Sequence, residues 1–450
     1  MSELTLNQAA RWCGGHVQEK YGDVRFLGAS NDSRSIQPGQ LFVALSGARD
    51  GHEFIPMALS KGASAVLCTH CDGDYPAIVV EDTRKALGDI ARQERLRLGC
   101  RVVAITGSVG KSTTKEMTAA VLGRKYRTSK TPANFNNDIG LPLSILALPE
   151  DTEVAVLELG MNHFGEMSYL TSIARPDVAV ITNIGTMHIE NLGSREGILQ
   201  AKLEILEGLR EGGRVVFNGD EPLLRNKRAE LSPVYFGMEN LDCQVRGTEL
   251  KVWSGSTSFR VEAGDLAFRV ELPVEGAHFA ADALAAVTVG RLLDVPAVEI
   301  REALQGFRSM EGRQEIFETK GYTIIKDCYN AGPESMAAAL KVLSGRQGRR
   351  IAVLGDMLEL GGCAQAEHYR VGRIAAGSCD LILTLGKNGA RVVSGAFTGG
   401  MRPDRAIACG SMEELVEMLK GRAKPGDTLL FKGSHGMHMD RALELFLEEI

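Results

Sequence analysis

The sequence predicts an α/β protein with three domains and, in its central part, a mostly parallel sheet. Short apolar runs rich in valine and isoleucine alternate with longer helical patterns along most of the 450 residues. Such runs are typical of strands that are buried on both faces of a parallel sheet. The clearest runs are 101–106, 153–159, 177–184, 350–356 and 381–386. At roughly 150 residues a domain, the length favours about three domains.

Three sections can be separated along the chain, and we expect domains at 1–99, 100–310 and 311–450. The first section contains the strand-like runs GQLFVALSG and GASAVLCTH. Residues 243–272, late in the second section, alternate between apolar and polar side chains, which predicts an antiparallel insert. The third section repeats the alternation of strand and helix. The sequence GRQE at 312–315 would suit a hinge, although a plain surface turn has the same composition.

Composition and charge exclude several classes of protein. The formal net charge of −6 gives no electrostatic footprint for nucleic acid or an anionic membrane. No stretch of about 18 apolar residues is present, so we expect no membrane insertion. The N-terminal residues do not resemble a signal peptide, and we expect a cytoplasmic, soluble protein. Cys68 and Cys71 form a C-x-x-C, but no second pair follows at zinc-site spacing, which favours reduced structural cysteines.

The strongest motif is ITGSVGKSTTKE at 105–116, between a strand-like run and a helical pattern. This context predicts a phosphate-binding loop, in which backbone N–H groups and a helix N-terminus face the phosphate. The helix should begin at Lys111 and carry Met117, Ala120 and Val121 on one face. Ile105 stands where the usual G-x-x-x-x-G-K-[ST] spacing has its first glycine, so a chance glycine-rich turn is the alternative. The candidate phosphate-binding residues are Gly107, Ser108, Val109, Gly110, Lys111, Ser112 and Thr113.

Further polar residues follow two neighbouring strands. Glu158 ends one strand, where a carboxylate would face the ligand crevice of an open α/β sheet and could bind Mg²⁺. The next strand brings Asn183 and His188 to the same edge. A lone histidine is more often a structural residue than a ligand, and Lys202 would by itself be a solvated helix lysine.

Several motifs together resemble the Mur ligase family. In chain order they are NDSRSIQPGQLFVALSGARDGHEF, TGSVGKSTTKE, LELGMNHFGEM, TNIGTMHIENLGS, AKLEI, GAHFAADALAA, MEGRQE, DCYNAGPESM and VLGDMLELG. The resemblance covers nearly the whole chain. It implies an N-terminal UDP-sugar-binding domain, a central phosphate-loop ATPase and a Rossmann-like C-terminal domain that closes over the nucleotide.

The resemblance also implies an ATP-dependent ligase of peptidoglycan synthesis. KTPANFNNDIGLPLSIL and VLGDMLELG are similar to members that join D-alanyl-D-alanine to a UDP-N-acetylmuramoyl tripeptide through an acyl phosphate. The expected cofactors are ATP and Mg²⁺, and we expect a monomer. The alternatives are a sister Mur ligase that adds a single amino acid, a nucleotide-hydrolysing switch or motor, and an inactive nucleotide-binding protein.

Residue roles follow from the same resemblance. It implies that Lys111 grips the phosphates and that Ser112 or Thr113, with Glu158, holds one Mg²⁺. A second Mg²⁺ would be held by His188 and by Lys202 in carbamoylated form. The remaining ATP contacts implied are Asn137, Arg313, Asp327, Tyr329 and Asn330, and the uridine nucleotide would lie beside Asp32, Ser33 and Arg34.

The chain departs from the family pattern at four positions. Phe279 and Asp282 stand where the family usually has the asparagines of H-N-x-x-N near the adenine. Gly332 replaces an asparagine in D-x-Y-N-A-N-P, and His435 replaces the arginine of KGSR. These changes concern the expected adenine and C-terminal substrate contacts and leave the predicted phosphate and Mg²⁺ cluster intact.

Overall fold

The computed structural model describes residues 3–47, 49–225 and 227–449. In the first section, β1 pairs with β2 in antiparallel fashion, and β3 to β6 form a parallel four-stranded sheet in sequence order. The elements are β1 (Glu3–Thr5), α1 (Leu6–Cys13), β2 (Arg25–Leu27), β3 (Ala29–Ser30), β4 (Leu41–Val43), α2 (Ile55–Ser60), β5 (Ala65–Cys68), β6 (Ala77–Val79) and α3 (Thr83–Leu98).

The second section is built on a nine-stranded sheet of order β15-β14-β13-β12-β11-β10-β7-β9-β8. Its elements are β7 (Arg101–Thr106), α4 (Lys111–Leu122), β8 (Thr128–Lys130), α5 (Gly140–Leu146), β9 (Val154–Glu158), α6 (Glu166–Ala174), β10 (Val178–Ile181), α7 (Ile189–Leu192), α8 (Arg195–Leu203), β11 (Arg214–Asn218), β12 (Val234–Gly237), β13 (Val245–Trp253), β14 (Ser256–Ala263), β15 (Leu266–Leu272), α9 (Ala277–Leu292) and α10 (Ala297–Gln305). Strands β7 to β13 pair in parallel, and β13, β14 and β15 pair in antiparallel fashion. This confirms the predicted parallel sheet and its antiparallel insert.

The third section has a six-stranded sheet of order β16-β17-β21-β18-β19-β20, parallel except at the β16 edge. Its elements are β16 (Glu315–Thr319), β17 (Tyr322–Asp327), α11 (Pro333–Ser344), β18 (Arg350–Gly355), α12 (Ala364–Ala376), β19 (Leu381–Leu385), α13 (Gly389–Thr398), β20 (Ala406–Cys409), α14 (Met412–Arg422), β21 (Thr428–Lys432) and α15 (Met439–Glu448). The predicted α/β class is confirmed. The boundaries at 99/100 and 310/311 stay predictions; they fall between α3 and β7 and between α10 and β16.

The central sheet is buried on both faces because its parallel strands carry apolar side chains on both sides. On one face, Val102 and Ala104 of β7 pack in a cluster with Leu87 of α3 and with apolar residues of the first section. On the other face, Val103 and Ile105 pack against α4 and α9. The first section is therefore joined to the central sheet by a continuous apolar core.

Helix α4 begins at Lys111, as the sequence predicts, but its buried face differs from the expected one. Met117 and Val121 are buried, whereas Ala120 is exposed. The prediction was wrong for Ala120 because the buried stripe also includes Thr118 and Leu122, which turns Ala120 away from the core. A stripe of alternating apolar and hydroxyl side chains is harder to locate from hydrophobicity alone.

Strand register brings three strand ends to one edge of the central sheet. Ile105 of β7 is paired with Glu158 of β9, and Thr106 of β7 is paired with Ile181 of β10. The segments that leave these strands therefore start side by side. In the described part of the chain, no helix is long and apolar enough to cross a membrane.

The contact between α12 and α13 gives a prediction for stability. A Cβ atom on Gly372 would overlap the carbonyl oxygen of Val392 in the facing helix. We expect Gly372→Ala to lower the free energy of unfolding by about 1–3 kcal/mol, since the backbone must shift to accept the methyl group. Gly421→Ala is the matched control, because a Cβ there meets no atom within 4 Å. Denaturant unfolding curves that coincide for the two variants would contradict this account.

Candidate active site

A cavity of about 460 Å³ opens at the carboxyl ends of β7, β9 and β10, between the central sheet and the third section. Most of the predicted site residues line it, although they are spread over more than 200 positions of sequence. Those that do are Ser108, Val109, Gly110, Lys111, Ser112, Thr113, Asn137, Glu158, His188, Lys202, Arg313, Asp327, Tyr329 and Asn330. Gly107 lies at the base of the loop rather than in the cavity wall. The fold therefore brings together one site from two sections of the chain.

The loop between β7 and α4 is fixed by the end of β10. The backbone N–H groups of Ser108 and Val109 donate to Oδ1 of Asn183 at 3.1 and 2.9 Å. The Thr182 hydroxyl donates to the carbonyl oxygen of Val109 at 2.6 Å. These bonds leave the N-terminal N–H groups of α4 facing the cavity, where they can bind an anion.

Two glycines permit this loop conformation. Gly107 and Gly110 have φ of +155° and +83°, in the region that residues with a Cβ rarely adopt. A Cβ on Gly107 would overlap the Thr182 hydroxyl, and a Cβ on Gly110 would overlap the carboxylate of Asp282. The short G-x-x-G spacing is therefore a structural requirement of the loop.

Lys111 curls back over this loop. Its Nζ donates to the carbonyl oxygen of Gly107 at 2.8 Å and lies 3.4 Å from that of Ser108. Burial lowers the pKa of Lys111, while the charge of Glu158 opposes that shift. A partly buried ammonium whose hydrogen bonds go only to neutral carbonyl groups can gain much from an anionic partner.

Glu158 is buried and only half satisfied. Its Oε1 accepts a hydrogen bond from Nδ2 of Asn136 at 2.8 Å, whereas its Oε2 is buried without a hydrogen-bond partner. The nearest cation to Oε2 is the buried Nζ of Lys115 at 3.7 Å, which itself donates to the carbonyl oxygen of Ala133. An orphaned carboxylate oxygen at a cavity wall fits a hard cation such as Mg²⁺.

Lys202 is buried rather than solvated. Burial lowers its pKa well below the ordinary range, and the charge of Lys111 lowers it further. Within the described ranges, no acidic side chain forms an ion pair with Lys202. Both effects favour the neutral amine of Lys202 over its charged ammonium form.

His188 lies at the N-terminus of α7 with φ of +64°. Its Nδ1 is 2.6 Å from Oε2 of Glu359 in the third section, although the ring N–H is not aligned with that oxygen. Contact with His188 lowers the pKa of Glu359. The histidine therefore has an acidic partner that no local sequence pattern links to it.

The third section supplies a cationic wall. Arg313 donates from Nη2 to the Ser112 hydroxyl at 2.9 Å, and its guanidinium lies 3.9 Å from the centre of the Tyr329 ring. Lys432 is buried and donates to Oδ2 of Asp327 at 2.7 Å and to the carbonyl oxygen of Asn330 at 3.0 Å. Arg313 therefore reaches from the third section to the first turn of α4.

The two positions that depart from H-N-x-x-N lie at the same cavity. Phe279 is buried, with its ring centre 4.3 Å from that of His278, whose pKa burial lowers to about 4. Burial raises the pKa of Asp282 to about 7, and its Oδ1 accepts a hydrogen bond from the Thr114 hydroxyl at 3.1 Å. Asp282 thus supports the phosphate loop from behind.

Sequence reasoning missed Asn136, Lys115, Lys432 and Glu359. Asn136 is next to the predicted Asn137, whose own Oδ1 instead accepts from the backbone of Gly140 at 2.8 Å in a local turn. The family-like motifs contain all four missed residues. Their pairing could not be deduced because each partner is distant in sequence.

Asp32, Ser33 and Arg34 lie outside this cavity, in the turn that follows β3. Arg34 is exposed and donates to both carboxylate oxygens of Asp32, while Ser33 is buried with its hydroxyl 3.4 Å from the sulfur of Met57. The fold places this turn at the carboxyl end of the small parallel sheet, where ligands bind in open α/β sheets.

The cavity suits a metal ion that is bound partly by the protein and partly by phosphate and water, rather than by protein side chains alone. Among residues 3–47, 49–225 and 227–449, no three His, Cys, Asp or Glu side chains form a metal-binding cluster. Mg²⁺ usually takes one or two carboxylates and completes its shell with phosphate oxygens and water. The orphaned oxygen of Glu158 next to a phosphate loop matches that preference.

Comparison with known proteins places these features in a family. Three family descriptions match the chain: "Mur ligase family, catalytic domain" at 25–95, "Mur ligase middle domain" at 105–290, and "Mur ligase, glutamate ligase domain" at 312–435. The chain is 40% identical to the UDP-N-acetylmuramoyl-tripeptide–D-alanyl-D-alanine ligase of Bacillus subtilis, covering 100% of this chain and 99% of that protein. It is 34% identical to the enzyme of the same name from Escherichia coli, with the same coverage.

Solved structures agree with the sequence relatives. MurF from Acinetobacter baumannii superposes with a TM-score of 0.92 at 30% identity, covering 100% of this chain and 99% of that one. MurF ligase from Thermotoga maritima, solved in complex with ADP, gives a TM-score of 0.82 at 31% identity, covering 94% and 97%. With full-length matches above 30% identity and family matches in all three sections, this chain belongs to the Mur ligase family.

Proposed function

We propose that the chain joins D-alanyl-D-alanine to a UDP-N-acetylmuramoyl tripeptide with hydrolysis of ATP to ADP and phosphate. The observation that carries this proposal is the single cavity in which the phosphate loop, the half-satisfied Glu158 and the Arg313 wall meet. The choice of acceptor is supported by the full-length relatives of that name. The product would be the UDP-muramoyl pentapeptide of peptidoglycan synthesis.

The triphosphate would lie at the N-terminus of α4. We expect Lys111 to leave the carbonyl oxygen of Gly107 and to bind phosphate oxygens, because an anion is a stronger partner than a neutral carbonyl. Arg313 is already at the Ser112 hydroxyl and can add a planar, bidentate contact to phosphate. Asn137, Asp327, Tyr329 and Asn330 line the rest of the same cavity and complete the proposed ATP site.

Two Mg²⁺ positions fit the residues present. Glu158, with the Ser112 or Thr113 hydroxyl, would hold one, and His188 with Lys202 would hold the other. When bound, Mg²⁺ neutralises the charge that develops on the transferred phosphoryl group. Because Mg²⁺ prefers oxygen ligands, Lys202 would bind it through the oxygens of a carbamate. The neutral amine, which burial favours, is the form that reacts with CO₂ to give that carbamate.

The reaction would proceed in two steps. The terminal carboxylate of the tripeptide attacks the γ-phosphorus of ATP, the bond to the β-phosphate oxygen breaks, and ADP leaves. The amine of D-alanyl-D-alanine then attacks the resulting acyl phosphate, and inorganic phosphate leaves as the amide forms. Both partners of the first step are anions, so Lys111 and Arg313 would lower their repulsion while the cavity walls hold them in line.

The first section would hold the UDP part of the donor substrate, beside Asp32, Ser33 and Arg34. Arg34 is exposed and can leave Asp32 for a diphosphate, which supports this assignment. Substrates of the nucleotide type support a cytoplasmic location.

Phosphate release measured with and without each substrate tests the proposed function directly. With ATP and Mg²⁺, we expect release that requires both UDP-muramoyl tripeptide and D-alanyl-D-alanine, and a pentapeptide product by mass spectrometry. Product with a single amino acid instead of the dipeptide would indicate a sister ligase. Hydrolysis that needs neither substrate would indicate a plain nucleotide hydrolase.

Replacing Lys111 tests the phosphate loop. We expect Lys111→Ala to lower kcat by about 100-fold or more, because a preorganised charge at the transferred group is lost. The circular dichroism spectrum should be retained, since Nζ of Lys111 holds only loop carbonyl groups. Lys341→Ala, which removes an exposed lysine of α11, is the control and should keep full activity. A Lys111→Ala enzyme with near-normal turnover would refute this assignment.

The proposed state of Lys202 can be observed by NMR. In ¹³C-bicarbonate buffer at mildly alkaline pH, we expect a carbamate resonance from the native chain and its absence from Lys202→Met. The lowered pKa favours the reaction because the amine must be neutral to attack CO₂. Identical spectra for the two proteins would exclude a carbamate at this position.

A further inference from the structure

Two acidic residues of the third section contact the short segment that carries His188. Oε1 of Glu334 accepts hydrogen bonds from the backbone N–H of Thr186 at 3.0 Å and from its hydroxyl at 3.1 Å. Oε2 of Glu359 is 2.6 Å from Nδ1 of His188. Ile189 packs against the apolar core of the third section. A segment of the central section is therefore docked on the third one.

Glu359 reaches His188 from an unusual backbone position. It lies between β18 and α12 with φ of +62°, which is uncommon for a residue with a Cβ atom. Two residues later, Gly361 is so close to Glu190 that a Cβ atom would be 3.0 Å from the Cβ of Glu190. The loop that carries Glu359 is thus packed directly against the start of α7.

The contact decides which nitrogen of His188 can face a metal. Nδ1 is buried on the side of Glu359, and the His188 side chain lines the cavity, which leaves Nε2 as the nitrogen available there. A histidine that binds a metal through one ring nitrogen commonly donates its other N–H to a carboxylate. That second contact fixes the tautomer and the ring orientation.

We propose that Glu359 is a positioning residue that holds His188 with Nε2 toward the second Mg²⁺, so that this metal site is complete only when the third section is docked. The inference rests on the proposed function, which assigns His188 to that metal. It adds a residue of the third section, whereas Glu158 and Lys202 belong to the central one.

The proposal links binding of the second metal to docking of the third section. If docking of the third section completes the metal site, metal binding must favour docking by the same factor, because the two equilibria are linked. The second metal would then bind tightly only after the cavity has closed around the nucleotide. Phosphoryl transfer to water would be disfavoured in the undocked chain, where His188 lacks its partner.

Manganese binding measures this role without relying on turnover. Mn²⁺ is titrated into the full chain with the non-hydrolysable analogue AMPPNP, and free Mn²⁺ is followed by electron paramagnetic resonance. We expect Glu359→Gln to lower the Mn²⁺ affinity of the site that contains His188 by about 10- to 100-fold. It should also reduce the ¹⁴N modulation in the electron spin echo signal of bound Mn²⁺, which reports a nitrogen ligand. Glu190→Gln is the control, because it removes a neighbouring acid that forms no ion pair with His188. It should leave the Mn²⁺ affinity and the ¹⁴N modulation unchanged.

A mutant cycle separates the possible outcomes. His188→Ala should abolish the same Mn²⁺ site, and adding Glu359→Gln to it should cause no further loss. Native Mn²⁺ affinity and ¹⁴N modulation in Glu359→Gln would overturn the role of Glu359 while leaving the proposed function standing. Two intact Mn²⁺ sites in His188→Ala would overturn the ligand assignment and the inference with it. Failure of the substrate-dependent phosphate release would instead count against the proposed function.

Discussion

The cavity of the candidate active site depends on the parallel pairing of β7 with β9 and β10. This pairing ends three strands at one edge of the sheet, so that the phosphate loop, Glu158 and Asn183 meet although they are up to 76 positions apart in sequence. Antiparallel neighbours would send their loops to opposite edges. A one-residue slip of β9 would turn Glu158 to the other face of the sheet, because the side-chain period of a strand is two.

The same edge creates an electrostatic problem that an anionic ligand would resolve. Lys202 is buried and Lys111 is partly buried, and desolvation lowers the pKa of both, so the cavity by itself disfavours their positive charges. A triphosphate reverses this balance, because a neighbouring anion stabilises the charged form of a buried lysine. The guanidinium of Arg313 is stacked on the ring of Tyr329 and offers a planar fork of donors that suits phosphate.

Most of the fold and much of the cavity could be predicted from the sequence, since parallel strands and a phosphate loop leave local patterns. Fourteen of the residues to which the family resemblance gave a role line one cavity. Ala120 was assigned to the wrong face because hydroxyl residues such as Thr118 are buried in α4 without adding to its hydrophobic pattern. Nothing in the local sequence singles out Lys115, and only the tertiary structure shows it beside Glu158.

Glu359 illustrates the kind of residue that sequence patterns cannot assign. Its partner His188 is 171 positions earlier, in another section of the chain, and neither residue has a local signal for the other. The two residues share a backbone feature in the structure. Both adopt positive φ, and each lies in a turn or bend. Strain of this kind persists only where the surrounding structure holds it. The docking contacts of Glu334 and Ile189 provide that support, so the third section contributes to the geometry of His188 along with the segment that follows β10.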